Sequence, residues 1–302
     1  MAPVNSAMAC YPSAPAQVSS MRASLLAPAL TVVLLLPFGC RKLDPIPQDA
    51  DGAASWLYRN QDAEDTEEII AAMDLVIDAL AIDPEEEFVE GLLLPLDAAS
   101  VEVVGRVAVE TLPTEEQIAV TEEELEAGTY VVLEEQQGMV VASIIPCAVA
   151  DVVGVVIRTD QDVVQGGYDV YDRAYTTDEN ALDNGEMLGW ETNYTISALG
   201  ATYDATILGQ LRFLDEAKTY AVARAYLPTP GEFTRGGRYF RQDYQLDLFA
   251  PTEDGQTIHV FAVWRDMNLG GFHSSNAAYI ATVSNAFRDA DVAIADVCNP
   301  RE

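Results

Sequence analysis

Residues 275–298, SNAAYIATVSNAFRDADVAIADVC, decide the fold that the sequence predicts. Apolar residues recur in this stretch at intervals of three and four, which is the spacing of one face of an α-helix. They are Ile280, Val283, Phe287, Ala290, Ile294 and Val297. We therefore expect a helix over about residues 275–297 whose apolar seam packs against a broad surface.

That surface is predicted by the residues that precede the helix. From Tyr203 to Leu211 every second residue is apolar or small, and most residues between them are polar. A period of two is typical of a half-buried antiparallel strand. Comparable runs occupy residues 168–176, 187–198, 217–227, 238–250 and 257–267.

A strand and a helix come before these runs. Residues 129–135 and 139–145 flank Gln136-Gln137-Gly138, a pattern that predicts a hairpin. The apolar run 148–158 then predicts a helix. From residue 128 onward the order is thus strand, helix, a run of antiparallel strands and a long C-terminal helix. The glycines of residues 268–272 would allow that helix to fold back across the sheet.

This order of elements resembles the START-like helix-grip superfamily over residues 128–298. The resemblance rests on the order and on two patches, Val140–Val155 and Trp190–Arg212. It implies an α+β fold in which an antiparallel β-sheet wraps a long C-terminal amphipathic helix around an apolar cavity. Members of the superfamily bind lipids, sterols or polyketides, and some are cyclases or hydrolases. The alternative is another antiparallel α+β sheet with helices on one face.

Aromatic side chains on the predicted strands and on the helix seam are candidates for the lining of such a cavity. They are Trp190, Tyr194, Tyr203, Trp264 and Phe287. Side chains of this kind line sites for apolar small molecules. Ordinary packing across a sheet explains the same pattern without a ligand.

The chain before residue 128 differs in composition. Residues 64–82 predict a helix that Asp65 and Glu68 cap, with one apolar stripe along it. Arg106 is the only basic residue between residues 85 and 137. We predict a smaller α+β N-terminal portion over residues 64–127, preceded by an acidic tether over residues 41–63.

The first forty residues have the parts of an export signal. Arg22 precedes an uncharged apolar run from Ala23 to Phe38, and Gly39-Cys40 follows. This resembles the signal of bacterial lipoproteins, with translation starting at Met21. The resemblance implies lipidation of Cys40 and a membrane anchor on the outer membrane or the periplasmic face of the envelope. An ordinary cleaved signal and an uncleaved anchor remain as alternatives.

Two other cysteines, Cys147 and Cys298, remain for the exported part of the chain. In an oxidising compartment an even number of cysteines predicts a disulfide. A bond between them would contribute about 5 kcal/mol by closing a loop of about 150 residues. The alternative is a pair of buried free thiols.

Charge and motifs exclude several classes of function. The formal net charge is −33, which repels nucleic acid and anionic surfaces. His259 and His273 are isolated and do not predict a zinc site. The acidic segment 178–186 departs from calcium-loop spacing, so we predict no metal. The sequence has no nucleophile or phosphate-binding motif, so we also predict no cofactor and no catalytic residues.

Two functions of different classes remain. The first is an envelope lipoprotein whose module binds a hydrophobic small molecule or lipid without catalysis. The second is a surface lipoprotein that acts through protein contacts, with a solid core and an unidentified partner. A START-like enzyme ranks third, because no acid–base pair can be singled out among the 49 acidic residues.

Overall fold

A computed structural model describes residues 43, 45–80, 138–198, 200–228, 231–234, 238–268 and 277–299. Eight strands within these ranges form one sheet. They are β1 (Gly138–Ile145), β2 (Val170–Tyr175), β3 (Leu188–Ala198), β4 (Ala201–Phe213), β5 (Ala221–Tyr226), β6 (Glu232–Phe233), β7 (Tyr239–Pro251) and β8 (Thr257–Asn268).

All neighbouring strands in the sheet are antiparallel. Their spatial order is β1-β8-β7-β5-β4-β3-β2, and the short β6 pairs with β4. The strands from β2 to β8, apart from β6, follow the predicted alternating runs. The first arm of the predicted hairpin, residues 129–135, lies outside the described residues.

Five helices accompany the sheet in the described part of the chain. They are α1 (Ala50–Asn60), α2 (Thr66–Ala79), α3 (Val149–Val156), α4 (Gln161–Gln165) and α5 (Ala277–Cys298). None of them is long and apolar enough to cross a membrane. The predicted antiparallel sheet with a long C-terminal helix is therefore confirmed.

The two faces of the sheet are covered by different helices. The α5 face carries Phe287 of α5 against Phe261 of β8, with ring centroids 5.6 Å apart. On the opposite face, which we name the α1–α2 face, Tyr58 of α1 packs edge-on against Trp264 at 5.8 Å. Successive residues of a strand point to opposite faces, so each strand contributes to both. The predicted alternative, with helices on one face only, is wrong.

The segment predicted as a tether is partly a buried helix. Asp49 caps α1 by accepting a hydrogen bond from the Gly52 amide at 2.7 Å. Trp56, Leu57 and Tyr58 are at most 1% exposed. The prediction of a tether over residues 41–63 is wrong across α1, because packing against the sheet stabilises a segment whose own sequence is only weakly apolar. The predicted helix after it is confirmed as α2, with Asp65 as its cap.

A disulfide fixes the C-terminal end of α5. Cys147 and Cys298 are bonded, with their Cα atoms 6.2 Å apart. Cys147 lies between β1 and α3, so the bond ties the last turn of α5 to the start of α3. The predicted pairing is confirmed, and the alternative of two free thiols is wrong.

Candidate functional site

The two faces of the sheet differ in how completely they are closed. On the α1–α2 face, Tyr244, Leu246 and Trp264 are 0% exposed. On the α5 face, strands β2, β3, β4, β7 and β8 carry side chains that keep partial exposure. We call these the α5-face patch: Arg173, Tyr194, Ile196, Ala205, Gln245, Asp247, Phe261 and Arg265. The sheet is thus sealed where α1 and α2 cover it, and the middle of its α5 face stays partly open.

Small residues in the middle of the α5 face make room for other side chains. Gly209 of β4 pairs with Ala225 of β5, and the indole of Trp190 lies directly over Gly209. A Cβ atom at position 209 would collide with that ring. Ala223 and Ala225 pair with Asp247 and Gln245 of β7. The polar side chains of β7 therefore stand beside short neighbours.

A run of aromatic rings crosses the β2, β3 and β4 side of this face. We call it the aromatic strip: Tyr168, Tyr171, Tyr194, Tyr203, Phe233 and Phe240. Tyr168 lies 4.9 Å from Tyr171 and 5.6 Å from Tyr194, measured between ring centroids. Tyr203 continues the strip, 5.7 Å from Tyr194 and 4.7 Å from Phe233. Tyr203 and Phe240 are buried, and the other four rings keep partial exposure. Aromatic rings combine a large apolar area, and in tyrosine a polar hydroxyl group, in one side chain.

An arginine stands at each end of the aromatic strip. The guanidinium of Arg173 lies 5.7 Å from the centre of the Tyr171 ring, and that of Arg265 lies 4.9 Å from the Phe240 ring. Arg265 donates to Asp243 at 2.8 Å, and Gln245 donates to the same carboxylate oxygen at 2.9 Å. The charge of Arg265 is therefore neutralised by a buried partner.

Under α5, a chain of four polar side chains joins the helix to the sheet. Ser143 of β1 donates a hydrogen bond to Asp291 of α5. Asp291 lies 2.8 Å from His259 Nδ1, and Asp247 lies 3.1 Å from His259 Nε2. All four belong to different elements, so the network fixes α5 to β1, β7 and β8 together.

The histidine in this network is held in its charged form. Burial by itself lowers the pKa of His259, but the charges and hydrogen bonds of Asp291 and Asp247 outweigh it and raise the pKa to about 10. A protonated imidazole has a hydrogen on both nitrogens, so His259 donates to both carboxylates. The phenyl ring of Phe249 stacks on the imidazole at 4.5 Å, and Phe287 lies 4.8 Å from it.

Comparison with known proteins finds likeness only among solved structures. No protein-family profile matches the chain, and no curated protein matches its sequence. The lipid transfer and protein localization domain of human StarD13 (DLC2) is 13% identical, with 55% of this chain and 79% of that chain covered and a TM-score of 0.37.

Two bacterial structures are similar to a comparable degree. A STAR-related lipid transfer protein from Xanthomonas axonopodis is 12% identical, covering 53% of this chain and 85% of that one at a TM-score of 0.36. A START superfamily protein from Mycobacterium smegmatis is 8% identical, covering 51% and 92% at a TM-score of 0.36.

The structure brings four of the five predicted cavity residues to one face. Trp190, Tyr194, Tyr203 and Phe287 all lie on the α5 face. Trp264 lies on the α1–α2 face, packed against Tyr58, and cannot line a site with the other four. The reason is the alternation of β8, in which even-numbered residues point away from α5.

Several residues of the site are not among the sequence candidates. Asp291 is 0% exposed although it sits within the predicted apolar seam, whereas Val297 of that seam is 41% exposed. The sequence candidates also do not include Arg173, Asp243 and Arg265. One signal was available: Asp291 follows Phe287 by four residues and precedes Ile294 by three, which places a carboxylate on the packed face of the helix.

Proposed function

We propose that this protein is a non-catalytic module that binds a hydrophobic or amphipathic small molecule, such as a lipid, on the α5 face. The observation that carries this proposal is the part-exposed α5-face patch, which lies beside the short side chains of Gly209, Ala223 and Ala225. Part-exposed side chains beside small neighbours leave room for a ligand, and small-molecule sites combine an apolar lining with a few polar groups. The aromatic strip supplies contact area, and the polar groups at its ends supply orientation.

The polar network under α5 supports binding without catalysis. The Ser143 hydroxyl donates to Asp291 and not to His259. Both nitrogens of His259 are occupied by carboxylates. Activation of a serine requires a base within hydrogen-bond reach of its hydroxyl, with that base free to take the proton. The network therefore fixes α5 to the sheet, which is a structural role.

A titration with a fluorescent long-chain alcohol tests the binding function. The wild-type protein should bind the probe saturably, because the aromatic strip buries its chain. Replacing Tyr194→Ala should weaken binding about tenfold, since loss of one aromatic contact corresponds to roughly 1–2 kcal/mol. Tyr220→Ala is the matched control: this partly buried tyrosine packs with the α1–α2 cluster and should leave binding unchanged.

A second function, action through protein contacts with a solid core, is favoured by one observation. The rings of Phe287, Phe261 and His259 are in contact beneath α5 and fill part of the space there. If the wild-type protein shows no saturable binding of the alcohol, or if Tyr194→Ala and Tyr220→Ala behave alike, this second function replaces the first.

We also propose that Cys40 is lipidated and anchors the protein to the envelope. Residues 1–42 lie outside the described residues, so the proposal rests on the signal sequence. The Cys147–Cys298 disulfide supports export, because such bonds persist in oxidising compartments. Two or more acyl chains hold a protein stably on a membrane.

Radiolabelled palmitate tests the anchor. The wild-type protein should incorporate the label and partition into detergent, and Cys40→Ser should do neither. Cys10→Ser is the matched control, since it removes a cysteine ahead of the predicted start at Met21. Wild-type protein that is unlabelled and found wholly in the aqueous phase would contradict the anchor.

A further inference from the structure

Arg173 is a half-buried cation whose charge has no carboxylate in contact. It lies on β2, on the α5 face, between Tyr171 and Trp190, whose rings are 5.7 Å and 5.2 Å from the guanidinium carbon. Asp247 stabilises the charge through space. Among the described residues, however, no carboxylate lies within ion-pair distance of Arg173.

Part of the guanidinium has a structural role. Nε donates to the Thr192 hydroxyl at 2.9 Å, and Nη1 donates to the backbone carbonyls of Val156 at 3.0 Å and Arg158 at 3.4 Å. These carbonyls lie at the C-terminal end of α3, where a cation is favourable. Nη2 donates no hydrogen bond within the described part of the chain. The Nη2 nitrogen of Arg173 therefore remains available to donate to a ligand.

The tyrosines around Arg173 do not neutralise its charge. Burial raises the pKa of Tyr171 to about 12 and raises the pKa of Tyr168, so both hydroxyls stay protonated. Burial also lowers the pKa of the Arg173 guanidinium, which shows that its surroundings disfavour the charge. A guanidinium stays charged in proteins even so. A partly buried charge without an ion of opposite charge in contact is costly, and an anion supplied by a ligand would offset that cost.

Several other cations among the described residues have carboxylate partners. Arg158 pairs with Asp160, Lys218 with Asp183, and Arg265 with Asp243. The chain has 49 acidic and only 16 basic residues other than histidine, so a carboxylate partner is the expected outcome for a buried arginine. An overall charge of −33 also repels anions, and an anionic ligand needs a local cation to bind.

We propose that Arg173 binds the acid group of an amphipathic anion, a long-chain carboxylate or phosphate, whose chain lies along the aromatic strip. The inference rests on the proposed binding function and names its class of ligand. Starting beside Arg173, four tyrosine rings follow one another at centroid separations of 4.9 to 5.7 Å, in the order Tyr171, Tyr168, Tyr194 and Tyr203. An acid group at Arg173 would therefore start an apolar chain at one end of a continuous aromatic surface. The Nη2 group of Arg173 can donate a charged hydrogen bond to an oxygen of either acid group.

Binding of three ligands of equal chain length tests the proposal: a fatty alcohol, the corresponding fatty acid and the corresponding alkyl phosphate. The wild-type protein should bind one or both acids about 10- to 100-fold more tightly than the alcohol, as expected for a hydrogen bond to a charged group. Whichever acid binds more tightly identifies the acid group. The preference should decrease with added salt.

Three variants separate recognition from folding. Arg173→Met should abolish the preference and leave alcohol binding within about twofold, and Arg173→Lys should keep part of it because the charge remains. Arg224→Met is the matched control. Arg224 lies over the Tyr58 ring and donates to the Tyr58 carbonyl on the opposite face, so its removal should leave the preference intact.

The outcomes distinguish the two proposals. Equal binding of acids and alcohol by the wild-type protein, or a preference that persists in Arg173→Met, overturns the role of Arg173 while the binding function stands. Absence of binding for all three ligands overturns the binding function itself. If Arg173→Met does not fold, two other results test the role of Arg173. The preference of the wild-type protein for an acid should decrease with added salt, and Arg173→Lys should keep part of that preference.

Discussion

At the scale of single residues, the most constrained group is His259. It is 5% exposed and held between two carboxylates that come from a strand and from α5. Because its pKa is raised to about 10, the folded protein keeps a proton that the unfolded chain releases near pH 6.5. The contribution of this proton to stability is therefore complete below about pH 6.5 and is lost as the pH rises towards 10.

This linkage predicts a pH dependence of folding. Between about pH 6.5 and 10 the free energy of unfolding of the wild-type protein should fall by up to about 1.4 kcal/mol per pH unit. His259→Gln should be less stable at pH 6 and should lack this slope, because it has no titrating ring. Urea denaturation at a series of pH values measures both. Parallel curves for the two proteins across this range would show that His259 is not charged in the folded state.

At the scale of elements, the strands could be predicted because their pattern is local. In β4, residues from Tyr203 to Leu211 alternate between two faces, and the structure places them as the alternation requires. The C-terminal helix was likewise evident from its 3-4 spacing. The length and spacing of such a pattern are properties of the segment itself, so no knowledge of its neighbours is needed.

The remaining features depend on contacts between distant segments. Helix α1 has a short apolar run, Trp56–Tyr58, and its burial is provided by α2 and the sheet. Asp291 is buried because Ser143 and His259, which are far from it in sequence, supply its hydrogen bonds. Trp264 was grouped with the cavity residues by type, although the parity of its position assigns it to the other face. Pairings of this kind are not encoded in the periodicity of one element.

The packing of α5 on the sheet can be tested at Phe287. This residue is 8% exposed and contacts Phe261 and His259. Phe287→Ala should lower the free energy of unfolding by about 3–5 kcal/mol, because it leaves a cavity between helix and sheet. Val297→Ala, a change at an exposed position of the same helix, should cost less than about 0.5 kcal/mol. Equal effects of the two changes in chemical denaturation would contradict the packing of α5 described above.

At the scale of the whole molecule, one sheet serves two purposes. Where α1 and α2 cover it, the sheet forms a closed apolar core that supplies stability, and its other face combines a helix clamp with a part-exposed surface. The disulfide and the His259 network both hold the C-terminal half of α5. The strongly acidic exterior keeps anions away in general, which makes the few cations on the α5 face decisive for what binds there.

The three tryptophans of the chain allow the central claim to be tested by one measurement. Trp190 lies on the α5 face over Gly209, whereas Trp56 and Trp264 belong to the α1–α2 core. A long-chain fatty acid that carries bromine atoms quenches tryptophan fluorescence on contact. Titrated with this ligand, the wild-type protein should show saturable quenching, which Trp190→Phe should abolish and Trp56→Phe should preserve. Quenching that survives in Trp190→Phe, or the absence of saturable quenching in the wild-type protein, would contradict a ligand site on the α5 face.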